Sequence, residues 1–290
     1  MSQGFPSLID IKAVSAAIDR SFNLIVANYS TLLEDVFRPL LTAITGLERL
    51  LQWLPWWSIV LMLAALAFGT SRSWRTSALV AVLTIGIGML GVWDAAMSTL
   101  ALMLVSTVLA LIIGIPTGIA LSRFSALRRV SLPVLDVMQT LPIFVYLIPF
   151  VMLFGPGKIP ALLATIVFAI PPVIRLTDLG IRQVDPETVE AVRSFGATSR
   201  QSLVAAELPL ALPTIMAGVN QTTMMALSMV VIASMIGAGG LGYQVLQGIQ
   251  RLEVSRGLLA GIAIVFLAII FDRIAQGYGR RLQNSLKQEH

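Results

Sequence analysis

Gly237-Ala238-Gly239-Gly240-Leu241-Gly242 reproduces, letter for letter, the G-x-G-x-x-G spacing that brings a backbone against a dinucleotide pyrophosphate. That chemistry needs a strand before the glycines and a helix after them, and here a long apolar run precedes them, so a glycine-rich bend is the better reading. Gly155-Pro156-Gly157-Lys158 lacks both the leading glycine and the Ser/Thr of a phosphate-cradling loop, so no ATP site is expected in this chain. The only histidine is His290, and there is no cysteine. Neither a His- or Cys-based metal centre, a disulfide, a thiol nucleophile nor a Ser-His-Asp triad can be assembled, and no catalytic, metal or cofactor site is expected.

The residues that remain are polar groups inside apolar runs and one polar interruption between two such runs. Gln139, Thr140 and Tyr146 fall in one run, and Asn220, Gln221, Met224 and Ser228 in another, with Thr222, Thr223 and Ser234. Polar groups in hydrocarbon face a bundle interior, where they either bond a neighbouring helix or line a wet path; both readings stay open for each residue. Asp94, Asp136, Asp178 and Asp272 stand near the ends of apolar runs rather than at their centres, which argues against a carrier coupled to protons or sodium through buried acids.

The interruption covers 175–212. Asp185 has the position of an N-cap, Pro186 of a first helical residue, and Glu187 falls in the first turn, where the macrodipole favours an anion. Gly196 reads as the stop. Thr198 and Gln201 have the capping-box spacing and open a second helix that is expected to run to Pro209. A polar, basic helix-turn-helix results, with Arg193 and Arg200 beside Glu190, hung between two apolar runs. Its attachment to those runs disfavours DNA as its partner.

What must position these residues is a membrane bundle. The chain has 290 residues, 57% hydrophobic and 12% charged, with mean hydropathy +0.86, more apolar surface than a soluble core could hide. The net charge of +5 is spread over short loops, which suits headgroups rather than nucleic acid. Asp10 and Lys12 near the start, with no basic region ahead of a cleavable apolar stretch, give no sign of a leader. With about 20 residues needed to cross, seven spans are predicted at 53–69, 76–93, 97–121, 134–154, 159–176, 213–236 and 257–274, the fifth disturbed by Pro171-Pro172. Gly114-x-x-x-Gly118 and Gly257-x-x-x-Gly261 read as close-packing motifs.

Counting Lys and Arg orients the bundle. One side collects Arg72, Arg75, Arg123, Arg128, Arg129, Arg175, Arg182, Arg193, Arg200, Arg273, Arg280, Arg281 and Lys287; the other holds Lys158, Arg251 and Arg256. The expected topology places the Glu190 hairpin and the C-terminus in the cytoplasm and the N-terminus outside. Ahead of the spans, Leu33, Phe37, Leu40, Ile44, Leu47, Leu51 and Leu54 recur at helical spacing, an amphipathic helix that either lies on the outer membrane surface or packs on the rest of the protein.

The hairpin resembles the EAA loop of ABC importer permeases, whose pattern is E-A-A, a glycine six residues after the glutamate, and a late I-x-L-P. Glu190, Ala191, Gly196, Leu208 and Pro209 fit it; Val192 and Ala206 depart from it. The run Arg193-Ser194-Phe195-Gly196-Ala197, then Leu208-Pro209-Leu210-Ala211, then 213–222 and 226–236 resembles almost continuously the permease subunit of ProU-type glycine betaine/proline betaine importers and their choline-importing relatives. The likeness extends back through Met138-Gln139-Thr140 and 144–147 to 114–118, so it covers about 97–276.

The resemblance implies an all-α integral membrane protein with a type I, MetI-like permease core. It divides the chain into an interfacial segment 1–52, two accessory helices over 53–93, a core over 94–276 containing the loop 175–212, and a tail 277–290. It implies two copies of the chain forming the pathway, two ATPase subunits carrying the ATP and Mg, and a substrate-binding protein outside. Glu190, Ala191, Arg193, Phe195, Gly196, Ala197, Leu208 and Pro209 would seat the ATPase, and Gln139, Thr140, Tyr146, Asn220, Gln221, Met224 and Ser228 are the candidates for lining the path. The implied cargo is glycine betaine, proline betaine or choline, with carnitine or trimethylamine N-oxide as alternatives. An ATP-independent channel or secondary carrier, and a membrane-embedded enzyme, are the rival classes.

Overall fold

The computed structural model describes residues 11–288, and every regular element among them is helical. His290 and residues 1–10, Asp10 included, lie outside the described residues. The chain runs α1 (Ile11–Trp53), α2 (Trp56–Ser71), α3 (Trp74–Met89), α4 (Trp93–Arg123), α5 (Ser125–Thr140), α6 (Ile143–Phe154), α7 (Lys158–Arg182), α8 (Pro186–Ser194), α9 (Ser199–Ser202), α10 (Leu208–Ala233), α11 (Leu241–Gln250) and α12 (Val254–Gln288). A π-helical turn, Leu203–Glu207, joins α9 to α10, and another, Ser234–Ala238, ends α10.

Four helical stretches are long and apolar enough to cross a bilayer: Trp93–Arg123, Lys158–Arg182, Ser199–Ala238 and Val254–Gly277. Two bent pairs raise this to six among the described residues if each is one span, with α3 a shorter apolar helix beside them, so the predicted count of seven is not confirmed. α2 and α3 have 16 residues each, about 24 Å at a rise of ~1.5 Å per residue, short of the ~30 Å hydrocarbon thickness. Residues 134–154 are not one straight helix: α5 and α6 meet at a 93° bend. The cause is Pro142, which forces Leu141 into extended backbone (ψ 135°) and ends α5. Conversely, α7 passes unbroken through Pro171-Pro172. Glycines let neighbouring helices close around that stretch: a Cβ on Gly114 of α4 would lie 2.4 Å from Val173, and one on Gly218 of α10 would lie 3.2 Å from the Val173 Cα.

α7 is therefore the central post, buried along its length between α4 and α10. Gly118 continues the α4–α7 contact, because a Cβ there would meet Thr177 at 2.6 Å. Gly257 faces Gly248 of α11, but Gly261 has nothing within 4 Å, so the second small-residue motif packs at one of its two glycines.

The C-terminal part of the N-terminal amphipathic helix packs on the bundle. Ile44 and Leu51 are buried, and the Phe37 ring meets Phe154 edge-on at 5.5 Å. Glu48 pairs with Lys158 at the start of α7 and accepts from the Ser98 hydroxyl at 2.6 Å, tying α1 to α7 and α4. Beyond Leu54-Pro55 the chain turns by 109° into α2.

The glycine motif at 237–242 is a structural bend. Gly237, Gly239 and Gly240 have φ of +97°, +79° and +90°. A Cβ on Gly240 would meet Thr99 Oγ1 at 2.5 Å, and one on Gly242 the Val231 carbonyl at 1.9 Å. These glycines let α11 fold back against α4 and the end of α10.

Candidate functional site

The 175–212 interruption folds largely as its residues dictate. Asp185 accepts from the Glu187 N–H at 2.9 Å, and Pro186 opens α8. The Phe195 and Gly196 N–H groups close the helix on the Ala191 and Arg193 carbonyls, and Gly196 then turns the chain with φ +86°. Thr198 and Gln201 form a complete capping box.

The second helix does not stop at Pro209. A helix runs from Ser199 to Ala238, so α9 is the end of a span. Proline lacks the N–H an α-helix would use there, and the π-helical turn just ahead absorbs the defect, the Leu208 N–H reaching back five residues to Leu203.

The resulting tip is open. Glu190, Ala191 and Arg193 are exposed on α8, and Ala197 is half-buried. Phe195 is 93% exposed, a large apolar ring that the described residues leave uncovered. Leu208 is half-buried and Pro209 exposed, at the base of the long helix.

Two buried carboxylates anchor this tip to the bundle. Asp178, 2% exposed, accepts from Arg128 Nε and Arg182 Nε, both at 2.8 Å. Glu207, 4% exposed and inside the π-helical turn, accepts from Arg123 Nη2 at 2.8 Å and from the Ser202 hydroxyl at 3.1 Å. Sequence reasoning placed Asp178 at a span end and counted the arginines as loop charges, but passed over Glu207. The available signal was a lone carboxylate in the otherwise apolar run 203–212.

The candidate path residues separate. Gln139 and Thr140 are exposed at the end of α5. Tyr146 is turned inward: its ring packs edge-on against Phe168 at 5.6 Å and its hydroxyl donates to the Met138 carbonyl, bridging the α5–α6 bend. On α10, Gln221 and Ser228 are exposed with Ala217, at spacings that share a helical side; Met224 is half-buried, and its carbonyl accepts from the Ser228 hydroxyl at 3.0 Å. Asn220 is half-buried, with no partner for its Oδ1 among the described residues. No group of three or more His, Cys, Asp or Glu among the described residues could hold a metal ion.

Residues 107–284 match the family described as binding-protein-dependent transport system inner membrane component. The glycine betaine/proline betaine transport system permease protein ProW of Escherichia coli is 47% identical over 91% of this chain and 74% of its own length. The glycine betaine transport system permease protein OpuAB of Bacillus subtilis is 42% identical over 89% of this chain and 92% of its own. Among solved structures, a chain of the MetNI methionine ABC transporter, in an inward-facing conformation, superposes with TM-score 0.59 at 22% identity. That superposition covers 66% of this chain and 95% of the other, and shows a shared fold. A multi-pass helical bundle, a capped hairpin between two of its spans and a family match over most of the chain converge: this protein belongs to the binding-protein-dependent transport system inner membrane components, the permeases of ABC importers.

Proposed function

We propose that the chain is the membrane-spanning subunit of an importer that moves a quaternary ammonium osmolyte (glycine betaine, proline betaine or choline) into the cell, driven by ATP hydrolysed in partner subunits. The observation that carries this is the exposed tip of the 175–212 hairpin. A short capped helix presents Phe195, 93% exposed, with Glu190 and Arg193 beside it, on two arms that continue into spans. A large apolar side chain at a rigid polar tip is an anchor for a protein groove. Each ATPase subunit seats there, on the cytoplasmic side, and a substrate-binding protein docks at the opposite end.

Two copies of the chain enclose the path. Leu127, Val130, Val134 and Val137 of α5 are exposed, and so are Gln221 and Ser228 on one side of α10. A second copy covers the former and shares the latter. The cargo follows from the names of the relatives, and carnitine or trimethylamine N-oxide would need only a different binding protein.

The test is reconstitution. The chain co-expressed with its ATPase and binding protein should take up labelled glycine betaine only with ATP present, and the isolated chain should neither bind nor hydrolyse ATP. Uptake without nucleotide would replace this reading by a channel or secondary carrier. A thermal-shift screen of the binding protein against betaines, choline, carnitine and trimethylamine N-oxide assigns the cargo.

A further inference from the structure

α5 is the least embedded of the core helices. Its one buried side chain is Leu135; Leu132 and Met138 are half-buried against the core, and Leu127, Val130, Val134 and Val137 are exposed. What fixes its start is ionic. The α4–α5 joint is a single extended residue, Phe124, and the arginines on either side of it reach the two arms of the hairpin. Arg123, in the last turn of α4, holds Glu207 on the outgoing arm; Arg128, in the first turns of α5, holds Asp178 on the incoming arm. Arg182 shares Asp178 and donates to the Leu121 carbonyl at 3.1 Å, closing the loop. Two turns further along α5, Asp136 pairs with Arg175, also on the incoming arm.

Both central carboxylates are almost fully buried, so their bonds are charge-assisted and shielded from water. Glu207 also sits in the π-helical turn, a feature that accumulates at functional sites. The other end of α5 carries Gln139 and Thr140 and leads into the 93° bend. A helix with little hydrophobic packing, pinned at its base to both arms of a lever, follows the arms when they move.

We propose that Arg123, Arg128, Asp178 and Glu207 are positioning residues for energy coupling: they clamp the α4–α5 joint between the hairpin arms, so that displacement of the tip is passed to α5 and hence to the bend that borders the path. This rests on the reading that the hairpin seats the ATPase. None of the four reaches the exposed tip, so the clamp acts after docking rather than in it.

The test uses the complete complex of chain, ATPase and binding protein in proteoliposomes, reading solute transported per ATP hydrolysed. Glu207→Gln and Asp178→Asn should leave recovery of the ATPase with the chain within about twofold, while the transport-to-hydrolysis ratio falls at least about tenfold. The exchange Arg123→Glu with Glu207→Arg should restore the ratio to within about threefold. A ratio unchanged in both single variants overturns the clamp, whether or not total activity drops. If the single variants do not assemble, the exchanged pair decides: assembly without recovered coupling, or no assembly, overturns it. The underlying reading fails separately, and visibly, if the unmodified chain does not retain the ATPase.

Discussion

At Gly196 the backbone stands at φ +86°, and a Cβ there would meet nothing within 4 Å. Gly196→Asp therefore costs the chain little beyond the left-handed conformation, about 1–2 kcal/mol and less for Asp, which tolerates it. A loss of function must come from what presses on the tip from outside. The variant should insert normally yet abolish betaine uptake, because it places a branched charge where a tight helix end meets a preformed groove. Glu190→Ala should be milder, weakening ATPase retention by ~1 kcal/mol through lost charge-assisted bonds at an exposed contact. Normal uptake and normal ATPase recovery in Gly196→Asp would remove the hairpin from the role proposed for it. The opposite logic holds at Gly242, where a Cβ would lie 1.9 Å from a backbone carbonyl that cannot step aside. Gly242→Ala should collapse the yield of monodisperse protein, and Gly261→Ala, in open space, should leave it intact; size-exclusion profiles of the two variants decide whether the 237–242 glycines serve packing.

Among the elements, legibility follows the range of the physics. α8 could be read from its own residues because Asp185, Pro186, Gly196 and the Thr198–Gln201 box act within one turn. Apolar runs likewise located the helices, since hydropathy reports the environment of a segment. It does not report the path: the 93° break inside 134–154 depends on Pro142, whereas α7 continues through Pro171 and Pro172, beside which Gly114 and Gly218 let the neighbouring helices come close. The continuous helix through Pro209 needed a π-helical turn that no local pattern announces. The buried ion pairs were least legible, because Arg123 and Glu207 are 84 positions apart, the arginine alone reads as a loop charge and the glutamate as a stray polar residue in an apolar run. Tyr146 shows the same limit, its polar end serving the α5–α6 bend rather than standing open. The carbonyl it reaches, Met138, lies in the last turn of α5, where no intrahelical donor remains. Tyr146→Phe should lower stability by about 1 kcal/mol, seen as a lower melting temperature in detergent. An unchanged melting temperature would mean that the bond does not hold the bend.

For the whole molecule, contacts alone sort the elements into two ends. Arg123–Glu207 and Arg128–Asp178 gather the end of α4, the start of α5 and both hairpin arms at one; Lys158–Glu48 and the bond from the Leu241 N–H to Thr99 gather the starts of α7, α4 and α11 at the other. Arginines crowd the hairpin end, and cytoplasmic loops carry the excess of positive charge, so that end is expected to face the cytoplasm. α1 packs at the opposite end through Glu48, and Ser21, exposed on the same helix, is expected on the external side. The chain has no cysteine, so single cysteines report position without background. Ser199→Cys, at the start of α9, and Ser21→Cys, on α1, are both exposed in the folded chain, so a difference in their labelling reports the side of the membrane each occupies. In intact spheroplasts an impermeant maleimide should label the Ser21 position and spare the Ser199 position; after permeabilisation both should react. Labelling at Ser199 alone before permeabilisation would turn the bundle over and place the hairpin where no ATPase could reach it, and labelling at both would mean that the amphipathic helix and the hairpin share the outer side, which the charge distribution forbids.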